Sequence, residues 1–354
     1  MKVKIEKKSI LDIEADVIVV NLFEGVKTPG GVTGIVDKAY DNIITDYVIK
    51  HEKFTGKYGE IYTLPLIKEN KKILVAGLGK SSDFTVSKIR NLTAKIVRMC
   101  NAMKNVKKVV SILHGAGVAG LDPELCAQMI AEGAISGEYA FDKYKEAKAE
   151  KNIKEFIVAE IDEAKYKKAK CGLEKGIIIA DSVNMGRDII NESSQYLYPE
   201  TLADFAVKNS KVKTTVYNKK QIEELGMRAF LAVGQGSVHE PRLIHMEYIP
   251  EKKAKKKIAI VGKGITFDAG GLDLKPPSSM LTMRDDMSGA SAVIMTMRAL
   301  SELKPDVEVH AVVAACENMP SGSAYKPGDV IVAKTGRTIE IDNTDAEGRV
   351  TLAD

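Results

Sequence analysis

The chain has 354 residues, 45% of them hydrophobic and 28% charged, which allows two domains or one large one with a sizeable core under a soluble surface. Its 52 basic and 48 acidic residues leave a net charge of +4, too mild to argue for nucleic acid as a partner. No apolar run approaches a membrane span. Cys100, Cys126, Cys171 and Cys316 are scattered without a CxxC pair, which argues against a zinc ribbon or disulfide framework and for reduced thiols.

The N-terminus, MKVKIEKKSILDIEADVIVV, is basic, but Asp12, Glu14 and Asp16 break up its apolar residues. No signal-peptide core fits there, so a cytoplasmic location is expected. Strand-like runs follow at 17–23, 72–79, 106–113 and 155–161, and again at 257–264, 307–316 and 329–334. Helical stretches lie between them. In 81–104, Ile89, Leu92, Ile96 and Cys100 recur at helical spacing; in 288–303, Ala290, Val293, Ile294, Met297 and Leu300 share one face. Alternating strand and helix predicts an α/β protein with mixed or mostly parallel sheets flanked by helices. The Lys- and Glu-dense stretch 142–156 reads as exposed surface. A helix predicted over 172–191 opens a second domain, which places the division at 1–160 and 161–354.

Two nucleotide-like motifs fail. GLGKSSD (77–83) would need glycine where Leu74 stands to be a phosphate loop, and VGKGITF (261–267) has Phe267 where a dinucleotide loop needs its third glycine. The second stretch has a better account. An apolar strand ends near Val261 and is followed by Lys263, Asp268, Lys275 and Asp286 among glycines that permit close backbone approach. In open α/β sheets, ligands bind outside the carboxyl ends of strands. Asp345 and Glu347 follow another predicted strand, TIEID (338–342), and in an extended segment an i, i+2 pair points to one side. Asp268, Asp286, Asp345 and Glu347 would then converge, and four carboxylates in a cleft require strong cations. Two divalent ions are the natural compensation. An oxygen-rich set suits magnesium or manganese; zinc or cobalt fits if Lys263 joins as a neutral amine. His239, His245 and His310 lie outside these motifs. Singly, each acid or lysine is more simply a solvated loop residue, and Asp285 and Asp286 suit a helix start; only the joint pattern argues for chemistry.

GKGITFDAGG (262–271), LKP (274–276), MRDDMSGA (283–290) and NTDAEGR (343–349) together resemble the leucyl (cytosol) aminopeptidase family of two-metal exopeptidases. Weaker similarity runs through 183–191, 228–237 and 241–248, so that the resemblance covers most of 170–354, while the first 160 residues resemble the family's N-terminal domain only in broad pattern. The resemblance implies that Lys263, Asp268, Asp286, Asp345 and Glu347 are metal ligands, with Asp268 and Glu347 bridging. It implies Lys275 and Arg349 as catalytic side chains and Met283 as lining the pocket for the substrate's first side chain; Asp285 falls outside the ligand register. Three positions depart from the family's usual form: Asp273, expected to share a strand face with Lys275, and Ser193 and Ser194.

The implied reaction is removal of N-terminal residues from peptides with a free amino terminus. A water bridging two ions, manganese or zinc, would attack the scissile carbonyl, Lys275 would stabilise the oxyanion, and a bicarbonate held by Arg349 would move the proton. The family further implies a homohexamer. The alternatives are a catalytically inactive, binding-only relative, against which all seven metal and catalytic positions are retained, and a two-metal phosphoesterase, which would ordinarily bring histidine ligands. VTLAD (350–354) reads as the first turn of a helix, too short to hold itself. The expectation is a second domain incomplete at its C-terminus, in a chain that is by itself nearly inactive.

Overall fold

The structure is a computed structural model that describes residues 1–116 and 120–354. They form two compact units, Met1–Asp181 and Ser182–Asp354.

The first unit runs β1 (Lys2–Glu6), β2 (Val17–Leu22), α1 (Gly31–Ala39), β3 (Ile61–Leu66), β4 (Lys71–Gly77), α2 (Val86–Asn101), β5 (Lys108–Ile112), α3 (Pro123–Glu138) and β6 (Glu155–Ala159). Its sheet has the order β1-β6-β5-β2-β4-β3, and neighbours are parallel except β3 against β4. Both faces are buried. Val17, Val19, Leu74, Val109 and Phe156 pack with Ile89, Leu92, Ile96 and Ile130 of α2 and α3. On the opposite face Ile18, Val20, Ile73, Val75 and Ile157 pack with Val36, Ile44 and Val48. A parallel sheet covered on both sides demands unbroken apolar runs, which is why VIVV and ILVA carry no alternation. Pro65 sits in the antiparallel edge strand β3, where a missing N–H is tolerated.

Helix α4 (Glu163–Asn191) carries the chain into the second unit, beginning nine residues ahead of the helix expected from 172 and shortly after the expected division near 160. There follow α5 (Pro199–Asn209), β7 (Lys213–Tyr217), α6 (Lys219–Glu224), α7 (Arg228–Gly234), β8 (Arg242–Tyr248), β9 (Lys257–Asp268), α8 (Pro277–Met280), α9 (Ser288–Leu303), β10 (Glu308–Asn318), β11 (Val330–Val332), β12 (Thr338–Glu340) and α10 (Glu347–Thr351). The main sheet, β7-β8-β10-β9, is mixed: β9 and β10 are parallel, whereas β8 is antiparallel to both its neighbours. One face buries Ile244, Met246, Val309, Ala311 and Val313 against α5 and α9. On the other face Leu243, Ala314 and Cys316 pack with Phe230 and Val233 of α7 and Val350 of α10.

The predicted strands land on β2, β4, β5, β6, β9, β10 and β11, and the helices predicted over 81–104, 172–191 and 288–303 land on α2, α4 and α9. One local reading is corrected. Asp345 and Glu347 are not in an extended segment: β12 stops at Glu340, Asp345 lies in a 3-10 turn (Thr344–Ala346), and Glu347 opens α10. Asn343 causes this, since its Oδ1 accepts the Asp345 N–H at 2.6 Å and caps the turn. Among the described residues, no helix is long and apolar enough to cross a membrane.

Candidate metal centre

The parallel pair β9 and β10 ends in register, with Asp268 beside Asn318. Asp268 is almost fully buried, at 2% exposure. Its Oδ1 accepts from the Gly270 N–H at 2.9 Å and from Asn318 Nδ2, also at 2.9 Å. Asn318 Nδ2 donates as well to the Thr344 carbonyl at 2.9 Å, so one amide ties both strand ends to the turn that carries Asp345. The loop after β9 closes tightly. Gly271 has φ +67°, and a Cβ there would stand 2.8 Å from Asn318 Oδ1 and 3.0 Å from Thr344 Oγ1, so only glycine fits.

Lys263 and Asp286 meet because β9 touches the start of α9 backbone to backbone. A Cβ on Gly262 would lie 2.7 Å from the Gly289 carbonyl oxygen. The Lys263 ammonium then sits 2.7 Å from Asp286 Oδ1 and 2.6 Å from Glu347 Oε1. Lys275 reaches Asp268 Oδ2 at 3.0 Å and also pairs with Asp345 Oδ1. Four carboxylates and two ammonium groups thus occupy one pocket at the strand ends, with the acids in excess. Against the desolvation that burial imposes, the paired carboxylates raise the pKa of both lysines. Burial, reinforced by the charges of Glu347 and Asp268, pushes the Asp286 carboxyl well above the ordinary carboxylate range despite Lys263.

These residues fit a cation. Asp268, Asp286 and Glu347 each bring a carboxylate oxygen within 4.8 Å of the others. Asp286 Oδ2 is buried with no hydrogen-bond partner among the described residues. An orphaned carboxylate oxygen aimed into an acid-rich pocket is costly unless something positive meets it.

Of the remaining expected site residues, Met283 lies in a short 3-10 helix, Met283–Asp285, just before Asp286. Arg349 is exposed on α10 and, among the described residues, pairs with none of the four carboxylates. The expected strand-face pairing of Asp273 with Lys275 is corrected, because residues 271–276 are not a strand. Asp273 Oδ2 instead accepts from the Thr344 N–H at 2.7 Å and lies 3.0 Å from its hydroxyl, pinning the 343–346 turn. Asn318 and Thr344 are the organising residues that motif reading missed. Their one sequence signal is a polar residue set directly against a strand end and a capped turn.

The catalytic-domain profile of the cytosol aminopeptidase family matches residues 184–354, and the family's N-terminal-domain profile matches residues 19–148. A probable cytosol aminopeptidase of Alkaliphilus oremlandii is 42% identical over 362 residues, covering 100% of this chain and 72% of the relative. One of Aquifex aeolicus is 45% identical over 313 residues, covering 87% and 61%. Among solved structures, a tomato leucine aminopeptidase mutant has a TM-score of 0.85 at 26% identity, covering 100% of this chain and 70% of that one. The bottromycin maturation enzyme BotP in complex with Mn has a TM-score of 0.81 at 30% identity, covering 96% and 68%. With both family domains present in order and the acid pocket built by the second, the chain belongs to the cytosol aminopeptidase family, a family of metal-dependent aminopeptidases.

Proposed function

We propose that Lys263, Asp268, Asp286, Asp345 and Glu347 hold two divalent metal ions, and that this pocket removes N-terminal residues from peptides. The observation that carries the reading is the triad of carboxylate oxygens with Asp286 Oδ2 left unpartnered. Bound there, the ions would supply Lewis-acid polarisation of the scissile carbonyl and an acidified water nucleophile. Manganese is favoured by the Mn complex of BotP, with zinc as the other candidate. Asp268 and Glu347, the two most buried of these acids, are the ones we assign as ligands that both ions would share.

The chain's own residues do the rest. The Lys275 ammonium pairs with both Asp268 and Asp345, from where it would meet negative charge developing on the carbonyl oxygen. Lys263 fixes Asp286 against Glu347 and must give up its proton to become a ligand itself. Arg349, exposed and uncommitted to the acids, is free to hold an anion such as bicarbonate that relays a proton. Met283 lines the space for the substrate's first side chain. A cytoplasmic enzyme assembled as a homohexamer completes the proposal.

The test reconstitutes metal-free protein with Mn, Zn, Co or Mg and assays a panel of aminoacyl-chromogenic substrates. Release of chromophore only after metal addition is expected. Full turnover in protein of verified nil metal content would end the two-metal reading.

A further inference from the structure

Away from the acid pocket, the second unit's sheet carries another cluster of metal-ligating groups. On the face that α7 and α10 cover at one end, the far end bears His245 and Glu247 of β8 and His310 and Glu308 of β10. His310 lies directly opposite Glu247 in register, and His245 opposite Val312, so the two histidines are diagonal neighbours on one face. The acid pocket is about 13 Å further along, four residues at strand rise from Ala259, the β9 partner of His310, to Lys263.

The donors already lie close together. His245 Nε2 lies 3.1 Å from His310 Nδ1, with the rings stacked at 16°. Two nitrogens of a tetrahedral zinc site stand about 3.3 Å apart at ordinary bond lengths, so the spacing already suits a shared ion and the rings need only turn toward it. His310 Nε2 faces Glu308 Oε1 at 2.8 Å. Donating there fixes its proton on Nε2 and leaves the Nδ1 lone pair turned toward His245. A carboxylate behind a ligating imidazole is the arrangement that orients such ligands, and Lys257 anchors that carboxylate at 2.7 Å.

Glu247 offers the third donor. Its Oε2 is taken by Lys213 at 2.7 Å, while Oε1 faces His310 Nδ1 at 4.0 Å. One oxygen is thus neutralised and the other left for a cation. All three donors fall within 4.8 Å of one another. All three donors are half-buried rather than enclosed, and Glu247 also borders a groove of about 530 Å³.

We propose that His245, Glu247 and His310 form a second divalent-metal site, for an imidazole-seeking ion such as zinc, that clasps β8 to β10 on the outer face of the sheet. The fourth position is water. His245 loses its Nε2 proton and carries one on Nδ1 instead, so it ligates as a neutral ring. Two histidines and one carboxylate favour zinc, cobalt or nickel over magnesium and calcium. The proposal does not depend on the function of the acid pocket, whose donors are carboxylates and a lysine.

The experiment counts zinc by equilibrium dialysis on the whole chain and on a His245→Gln/His310→Gln variant, each verified as folded by circular dichroism. The variant is expected to bind one zinc fewer. A Glu308→Gln variant, with both rings intact, is expected to bind that same zinc about 10- to 100-fold more weakly. X-ray absorption at the zinc edge, on the unaltered protein, decides the matter if the double variant fails to fold. Imidazole scattering is expected, because the acid pocket has no histidine donor to supply it. Equal zinc counts in folded wild type and variant, or an edge spectrum of oxygen scatterers alone, would overturn the proposal.

Discussion

Asn318 Nδ2 donates to Asp268 Oδ1 at 2.9 Å, which ties the last residue of β10 to the last residue of β9 at the pocket. Asn318 is fully buried and also holds the Thr344 carbonyl. Replacing it with leucine keeps the volume but removes both donations. Asp268 would then keep its Gly270 N–H and lose the group that orients it. Metal affinity is expected to fall about 10- to 100-fold, measured by titrating metal-free protein with Mn. Affinity within twofold of wild type would show that Asp268 is held adequately by the loop alone.

Lys275 and Asp268 should separate catalysis from metal binding. Lys275→Ala removes an ammonium expected to meet the oxyanion, a loss of about 10²- to 10³-fold in kcat by the usual worth of such a donor. It removes no carboxylate, so metal content should stay at two. Asp268→Ala removes a proposed bridging ligand, and occupancy should fall with activity. Metal analysis of the two purified variants reads this out. An emptied site in Lys275→Ala beside a full one in Asp268→Ala would reverse the assigned roles.

Much of this was open to reading in the primary structure, for physical reasons that differ by element. β2 and β4 are buried on both faces, so their runs are continuous and easily seen. α9 shows its face because one side of it packs on the sheet throughout. β1 and β8 were harder: Lys2, Lys4 and Glu6, or His245 and Glu247, put polar groups on the less covered side. At the pocket, residue types and glycines pointed to an acid cluster at a strand end, and the structure brings the four acids together around Lys263 and Lys275. The strand-like TIEID predicts an extended 343–349 segment, which the structure does not have. Asn343 as a cap, with acids in the first turn after it, is a helix-start signal and explains the observed bend. The roles of Asn318 and Thr344 were not legible, since they arise from contacts between segments 26 residues or more apart.

Gly271 offers a backbone test of the same corner. Its φ of +67° is strained for any other residue, and a Cβ would press on Asn318 Oδ1 at 2.8 Å. Gly271→Ala is expected to cost about 1–3 kcal/mol of stability and to weaken metal binding by displacing Asn318. Gly336 has φ +84° on the β11–β12 turn but open space around it. Gly336→Ala is therefore the control: it should lose stability from strain alone and retain metal affinity. Thermal melts and metal titrations on both variants check this, and equal metal affinity in the two would remove the steric argument.

His114 should shape the acid side of the stability curve. It is fully buried in the first unit between two polar partners, with Nδ1 2.6 Å from Asn21 Nδ2 and Nε2 3.0 Å from Ser111 Oγ. The Ser111 hydroxyl hydrogen is directed to the Ile112 carbonyl at 3.1 Å, so its oxygen accepts from Nε2–H, and the Asn21 amide donates to Nδ1. That pattern suits the neutral ring and offers nothing to a second ring proton. Burial lowers its pKa from 6.5 to about 4. The unfolded chain therefore binds a proton below about pH 6.5 that the folded chain refuses until about pH 4. No penalty exists above 6.5; it grows as pH falls and saturates below 4, at up to about 3 kcal/mol. His114→Gln, which cannot titrate, should lose stability at pH 7 through imperfect packing and yet fall off less steeply between pH 6.5 and 4. Urea unfolding of both proteins across that window measures the slopes, and parallel slopes would mean that His114 takes up its proton in the folded state as readily as in the unfolded one.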